Sequence, residues 1–157
     1  RTRQLLAALV DAANEPVLLP AAGKRAEKAL VPLVRKRWKR LRRAVASLPH
    51  DPSTGELHRI RILTKRCRYA TMATAPAFGQ PALTFAKRLG KLQDVLGDVH
   101  DFELLAHRLR GIALALPSEH AFSAGETAGR LRQMADESRD VWPGRWSKCK
   151  QVAPDQL

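Results

Sequence analysis

Between Leu57 and Ala70, the residues Leu57, Ile60, Leu63, Thr64, Cys67 and Ala70 recur at intervals of three and four, and His58, Arg61, Lys65 and Arg68 fall in the gaps. At about 100° per residue, the first set covers much of one side of a helix and the second lies together on the other. One flank of this helix packs; the other carries a row of cations. Ser53-Thr54-Gly55-Glu56, just upstream, has the form of a capping box. The Ser53 hydroxyl can accept from the Glu56 amide while the Glu56 carboxylate reaches back, which starts the helix near Thr54 and puts His58 in its first turns. Pro76 and Gly79 end it after about Thr74.

The rest of the chain repeats this helical spacing. Leu5, Leu6, Leu9 and Val10 predict a short helix over residues 3–13, interrupted by Asn14-Glu15-Pro16 to Pro20. Leu30, Val34, Leu41, Val45 and Leu48 predict a long helix over 22–48, bent near Pro32, with Val31 and Trp38 at the edge of its stripe. Phe85, Leu89, Leu92 and Leu96 predict a helix from Pro81 to Leu96, with Gly97 as the residue past its end. A further helix carries Phe102, Leu105, Leu109, Ile112 and Leu116 and stops at Pro117. The last spans 119–141 and is ended by Pro143-Gly144. No stretch alternates β-branched and polar residues, so a sheet has nothing to form from. The expected fold is all-α, an antiparallel bundle of about six helices, with one domain over residues 1–147 and a frayed tail over 148–157.

A chain of 157 residues with 45% hydrophobic content can bury a core and is not intrinsically disordered. Lys plus Arg number 28 against 15 Asp plus Glu, a net of +13, which favours an acidic, extended partner: nucleic acid, an anionic membrane or a phosphate polymer. Aromatic content of 5% argues against a row of rings stacking on bases, so contact with phosphates is expected instead. Cys67 and Cys149 are far apart in the chain and Cys67 sits in the packing stripe, which suggests a reducing compartment. No apolar run approaches the ~20 residues that cross a bilayer, and Arg1-Thr2-Arg3 is not followed by a signal-type segment, so the chain reads as cytoplasmic and without membrane contact.

Other cations flank the first row. Arg35, Lys39, Arg42 and Arg43 lie beside the stripe of the 22–48 helix, and Lys87 and Lys91 are one turn apart on the 81–96 helix. If the three helices are neighbours, these groups converge on one groove, where they repel by several kcal/mol in total unless an anion lies between them. Arginine offers forked donors to phosphate oxygens, lysine a point charge, and a histidine beside phosphate has its pKa raised and becomes a further cation. Lys36, Arg37 and Arg40 read as a solvated face. Arg59 and Arg66 point to another flank of the central helix and read the same way, and Tyr69 lines the cationic row.

Asp94, Asp98, His100 and Asp101 form the one acidic cluster, the kind of group that a metal site or a metal-dependent phosphohydrolase would need. Asp94 and Asp98 share a helix face with Lys87 and Lys91, so pairing with those lysines is the expected role. There is no Gly-rich phosphate loop, Cys-x-x-Cys pair or Ser/His/Asp order, so neither a catalytic residue nor a cofactor is expected.

Leu57-His58-Arg59-Ile60-Arg61, Lys65-Arg66-Cys67-Arg68-Tyr69, Leu89-Gly90-Lys91-Leu92-Gln93-Asp94-Val95-Leu96-Gly97 and His100-Asp101 together resemble the CHAD family, the conserved histidine α-helical domain. The match is good over residues 29–105 and looser beyond. The resemblance implies an all-α domain of two similar helical halves that binds inorganic polyphosphate and is not itself an enzyme. Carried over by motif, His58, Arg61, Lys65 and Arg68 contact phosphate, joined by Arg35, Lys39 and Arg42 from the preceding helix and Lys87 and Lys91 from the following one. Gln93 and Asp94 hold the framework. Family members accompany a CYTH-type phosphatase domain, as partner or fusion, and associate with polyphosphate granules. One departure is large: a full domain has a His-x-x-Arg helix in each half, and this chain shows one. It corresponds to the C-terminal half with part of the first, or to a divergent short member. The expected function is thus a polyphosphate-binding module with binding that grows with chain length. The alternatives are a nucleic-acid-binding domain using the same cations and an accessory domain of a polyphosphate or triphosphate phosphohydrolase.

Overall fold

The computed structural model describes residues 2–16, 20–23 and 25–153. Among them are five α-helices, α1 (Thr2–Asn14), α2 (Ala26–Ala46), α3 (Thr54–Phe78), α4 (Gln80–Ala113) and α5 (Ser118–Lys150), one 3-10 turn at Pro20–Gly23, and no strand. The all-α expectation holds. From α2 onward each helix packs on the next.

The capping box forms as its residues predict. Ser53 N–H donates to Glu56 Oε2 at 2.8 Å and Glu56 N–H donates to Ser53 Oγ at 3.3 Å, so two amides at the start of α3 are satisfied. The helix runs through Pro76 to Phe78 and ends where Gly79 takes φ +59°, a conformation that favours glycine. Gly79 also precedes α4, so only one residue separates α3 from α4 and the two fold back on each other. Arg139 of α5 secures the same helix start from outside. Its guanidinium donates to Pro52 O at 2.8 Å and Thr54 Oγ1 at 2.6 Å and pairs with Glu103 of α4, which in turn accepts from Thr54 Oγ1.

The core joins Val34, Trp38 and Leu41 of α2, Leu57, Ile60, Leu63 and Cys67 of α3, Phe85, Leu89, Leu92, Leu96 and Val99 of α4, and Trp146 and Cys149 of α5. Each fully buried Leu, Ile or Phe contributes about 1.5–3 kcal/mol relative to exposure. Trp38, expected at the stripe's edge, is instead central: it meets Phe85 edge-on at 5.2 Å between centroids and Trp146 at 5.0 Å. Thr64, Thr71 and Thr74 are also buried, and their hydroxyls donate to carbonyls of α3 itself, so they enter the core without an unpaired polar atom.

Several boundaries differ from the sequence expectation, the first being the end of α3, which passes Thr74 and Pro76 to reach Phe78. Gly97 does not end a helix; the predicted 81–96 and 102–116 helices are one continuous α4, and Gly97 is buried within it. Pro143-Gly144 does not end α5, which continues to Lys150 because Trp146 and Cys149 are anchored in the core. Val152 and Ala153 also pack against that core, so residues 148–153 are part of the fold, while 154–157 lie outside the described residues. The interruption expected at 14–20 is described only at its two ends.

Candidate functional site

Burial divides α3 as its periodicity demands: Leu57, Ile60, Leu63, Thr64 and Cys67 are buried, His58, Arg61 and Arg68 half-buried, and Lys65 exposed. The half-buried cations lie against α4 in an antiparallel register. His58 meets His100, Arg61 meets Gly97, and Arg68 meets Gly90. Arg61 and Arg68 are seven residues apart on α3, and the two glycines are seven apart on α4, so each guanidinium crosses the neighbouring helix where a side chain is missing. A Cβ on Gly97 would lie 3.3 Å from Arg61 Nε, and one on Gly90 would lie 3.5 Å from Arg68 Nε. Gly97 is therefore in mid-helix for the space it leaves, despite costing about 0.5–1 kcal/mol relative to alanine there.

The polar atoms in this α3/α4 cleft are poorly partnered. Arg61 Nε and His58 Nδ1 are buried with no hydrogen-bond partner. Arg68 Nη1 reaches Gln93 Oε1 only at 3.5 Å, the outer limit of a hydrogen bond. Lys65 Nζ sits 5.8 Å from the centroid of the Tyr69 ring, which is itself exposed. Not one of His58, Arg61, Lys65 and Arg68 forms an ion pair with a described residue. A buried donor without an acceptor costs about 1–3 kcal/mol, so Arg61 Nε is a group that an added acceptor would satisfy.

The His58 and His100 rings stack at 4.3 Å between centroids, tilted by 37°. Burial first, then His100 and Arg61, hold the His58 pKa below the usual histidine value, with Asp101 opposing. The sequence reading placed His58 beside phosphate with a raised pKa; in the free protein the shift has the other sign, because the neighbours are cations and the imidazole is partly dehydrated.

The acidic cluster departs from expectation. Asp94 and Asp98 make no ion pair with Lys87 or Lys91; instead burial and the charges of Asp94 and Asp101 raise the Asp98 pKa. One helix face thus runs from cationic at Lys87 and Lys91 to anionic at Asp94, Asp98 and Asp101. No group of three or more His, Cys, Asp or Glu is arranged to hold a metal among the described residues. Cys67 and Cys149 are free thiols, each pushed up to about 12 chiefly by burial, so both are unreactive packing residues.

The remaining cations line other grooves, two of which share Lys39 and Arg43. Arg35, Lys39 and Arg42 line one of about 440 Å³ with Arg43, Trp38 and Ala46, all on α2. Lys87 and Lys91 line one of about 330 Å³ with Arg88 on α4. A third, of about 620 Å³, lies between α2 and α3, and the α3 residues in it are Arg59 and Leu63. On the helical wheel these lie on the flank of α3 away from Arg61 and Arg68. α2 therefore packs along the flank opposite the cationic row, and the expected convergence of Arg35, Lys39 and Arg42 with that row does not form. His100, Gly90 and Gly97 were missed as cleft residues. The matching seven-residue spacings of arginine on α3 and glycine on α4 were the signal.

The family model described as CHAD domain matches residues 1–110. No curated protein and no solved structure matches the chain. No helix among the described residues is long and apolar enough to cross a membrane.

Proposed function

This chain belongs to the CHAD domain family, and from that premise we propose that it binds inorganic polyphosphate in the α3/α4 cleft, as a binding module without catalysis. The observation that supports this most is the pair of guanidiniums laid across Gly97 and Gly90, neither of them in an ion pair with a described residue. A phosphate chain is thin, unbranched and densely charged. It can pass along the cleft from Arg68 towards Arg61 and His58, placing an oxygen where Arg61 Nε has no partner, while Lys87 and Lys91 border the adjoining groove on α4. Lys65 adds a mobile charge at the rim. Arg35, Lys39 and Arg42 lie outside the cleft, and in this reading they engage only chains long enough to extend around the helix pair. The family resemblance leads us to place the protein with a CYTH-type phosphatase, at cytoplasmic polyphosphate granules.

Calorimetric titration with polyphosphates of increasing length tests the reading. Affinity rises with length, falls steeply with salt as counterions are released, and drops tenfold or more when Arg61 and Lys65 are both changed to alanine with helicity retained. Orthophosphate binding as tightly as the long chains, or a double variant with unaltered affinity, would overturn it.

A further inference from the structure

Six cations, four of which read as a solvated face in the sequence, are assembled by the fold into one groove. Lys36, Arg37, Lys39, Arg40 and Arg43 of α2 and Arg59 of α3 border the 620 Å³ space between the two helices, and Leu63 and Ala44 line it with them. Leu63 is only 7% exposed and Ala44 is half-buried, so the apolar part is the floor; the cations are exposed and form the rims. No carboxylate and no aromatic ring lines the groove.

We propose that this groove is a second anion site, separate from the α3/α4 cleft, and that its ligand is a single-stranded nucleic acid. The floor decides between polyanions. A bare phosphate chain has no apolar surface and gains nothing from covering Ala44 and the aliphatic stems of the lysines and arginines beside it, whereas sugar and base edges do, while the phosphates between them meet the rims. The rims also differ in kind from the cleft. Their cations are exposed and unconstrained, suited to a backbone of variable path, where Arg61 and Arg68 are laid in fixed positions on glycine. From Lys36 to Ser47 the groove follows α2 for about 16 Å, enough for a few nucleotides. With no ring to stack on, binding is independent of base, and six cations limit the salt slope, log K against log salt, to about −4.

The test uses the full chain with two probes, a fluorescent 15-nucleotide oligothymidylate and a short-chain polyphosphate confined to the cleft, and two variants. Changing Lys36, Arg40 and Arg59 together to glutamine weakens the oligonucleotide tenfold or more and leaves polyphosphate within twofold; changing Arg61 and Lys65 to alanine does the reverse. Photo-crosslinking of a 4-thiothymidine oligonucleotide to the unmodified protein labels α2 residues 36–47 and α3 near Arg59. Labels confined to the α3/α4 cleft, oligonucleotide affinity unchanged in the triple variant, equal loss of both probes in both variants, or tighter binding of duplex than of single strand would each overturn the proposal. Failure of polyphosphate to bind at all would instead remove the reading of the cleft, and leave the oligonucleotide result to be judged alone.

Discussion

The two flanks of α3 carry similar charge and differ in how it is held. On the α4 side, Arg61 and Arg68 are half-buried, seated on Gly97 and Gly90, with unpartnered polar atoms beside them. On the α2 side, Arg59 faces Lys36, Arg40 and Arg43 across an open groove, all of them exposed. The lesson is that net charge attracts a polyanion to either flank, whereas depth, fixed geometry and the chemistry of the floor select which one stays.

The largest effect expected on one flank alone comes from the anchor at the start of α3. Arg139→Ala removes donors to Pro52, Thr54 and Glu103 together and leaves Glu103 half-buried with Thr54 but without its cation. A loss of about 2 kcal/mol in denaturant unfolding is expected. Weaker polyphosphate binding and little change at the α2 groove should accompany it, since His58 sits one turn beyond the anchor; equal losses on both flanks would erase the distinction. Glu103 also titrates: burial pushes its pKa up, but the hydrogen bonds with Thr54 and Arg139 and the charges of Arg139 and Arg132 together outweigh it and hold the pKa below the usual carboxylate value. Its contribution is therefore complete above the unfolded carboxylate pKa and is lost as pH falls through the lower folded one, a loss that the Arg139→Ala variant should show only in part, since the Thr54 hydrogen bond remains.

Next in size is Gly97→Ala. Its Cβ at 3.3 Å from Arg61 Nε shifts the guanidinium by a few tenths of an ångström, so polyphosphate affinity should fall several-fold while thermal unfolding changes little. Unaltered affinity would mean that the seat of Arg61 is irrelevant to binding.

Acidity separates the flanks further. The depressed His58 pKa means that the free fold binds fewer protons than the unfolded chain, so the His58 contribution to stability is complete above the unfolded histidine value, about 6.5, and declines as pH falls below it. A bound polyanion favours the imidazolium, so binding at the cleft should take up protons and tighten by a few-fold from pH 8 to pH 6. Calorimetry in buffers of different ionisation enthalpy reads the uptake directly. His58→Asn should abolish it, and equal pH dependence at the α2 groove, which contains no histidine, would assign the effect to net charge instead.

The smallest effect expected is that of Gly90→Ala. Its Cβ meets Arg68 at 3.5 Å, an ordinary contact, so the gain in helix propensity of about 0.5–1 kcal/mol should survive as a slightly higher melting temperature with unchanged binding. A loss of stability there would show that the two seats are equally tight.

Periodicity alone determined most of the architecture, because a residue that recurs at three and four can be buried only on one side of a helix. Leu57 to Cys67 and Phe85 to Val99 occupy the core as their spacing requires, and Ser53 and Glu56 cap α3 through contacts only three residues apart. Local signals misled where distant packing outweighed them. Gly97 and Pro143-Gly144 read as helix ends, yet α4 and α5 run through them, since Arg61 needs the space at Gly97 and Trp146 and Cys149 hold the last turns of α5. Which cations share a groove was decided only by the tertiary structure. Helix spacing says that Arg61 and Arg59 lie on different flanks of α3, but not which neighbour lies along each. That choice depends on how Trp38, Phe85 and Trp146 interlock, a contact among three helices that no local pattern in the chain encodes.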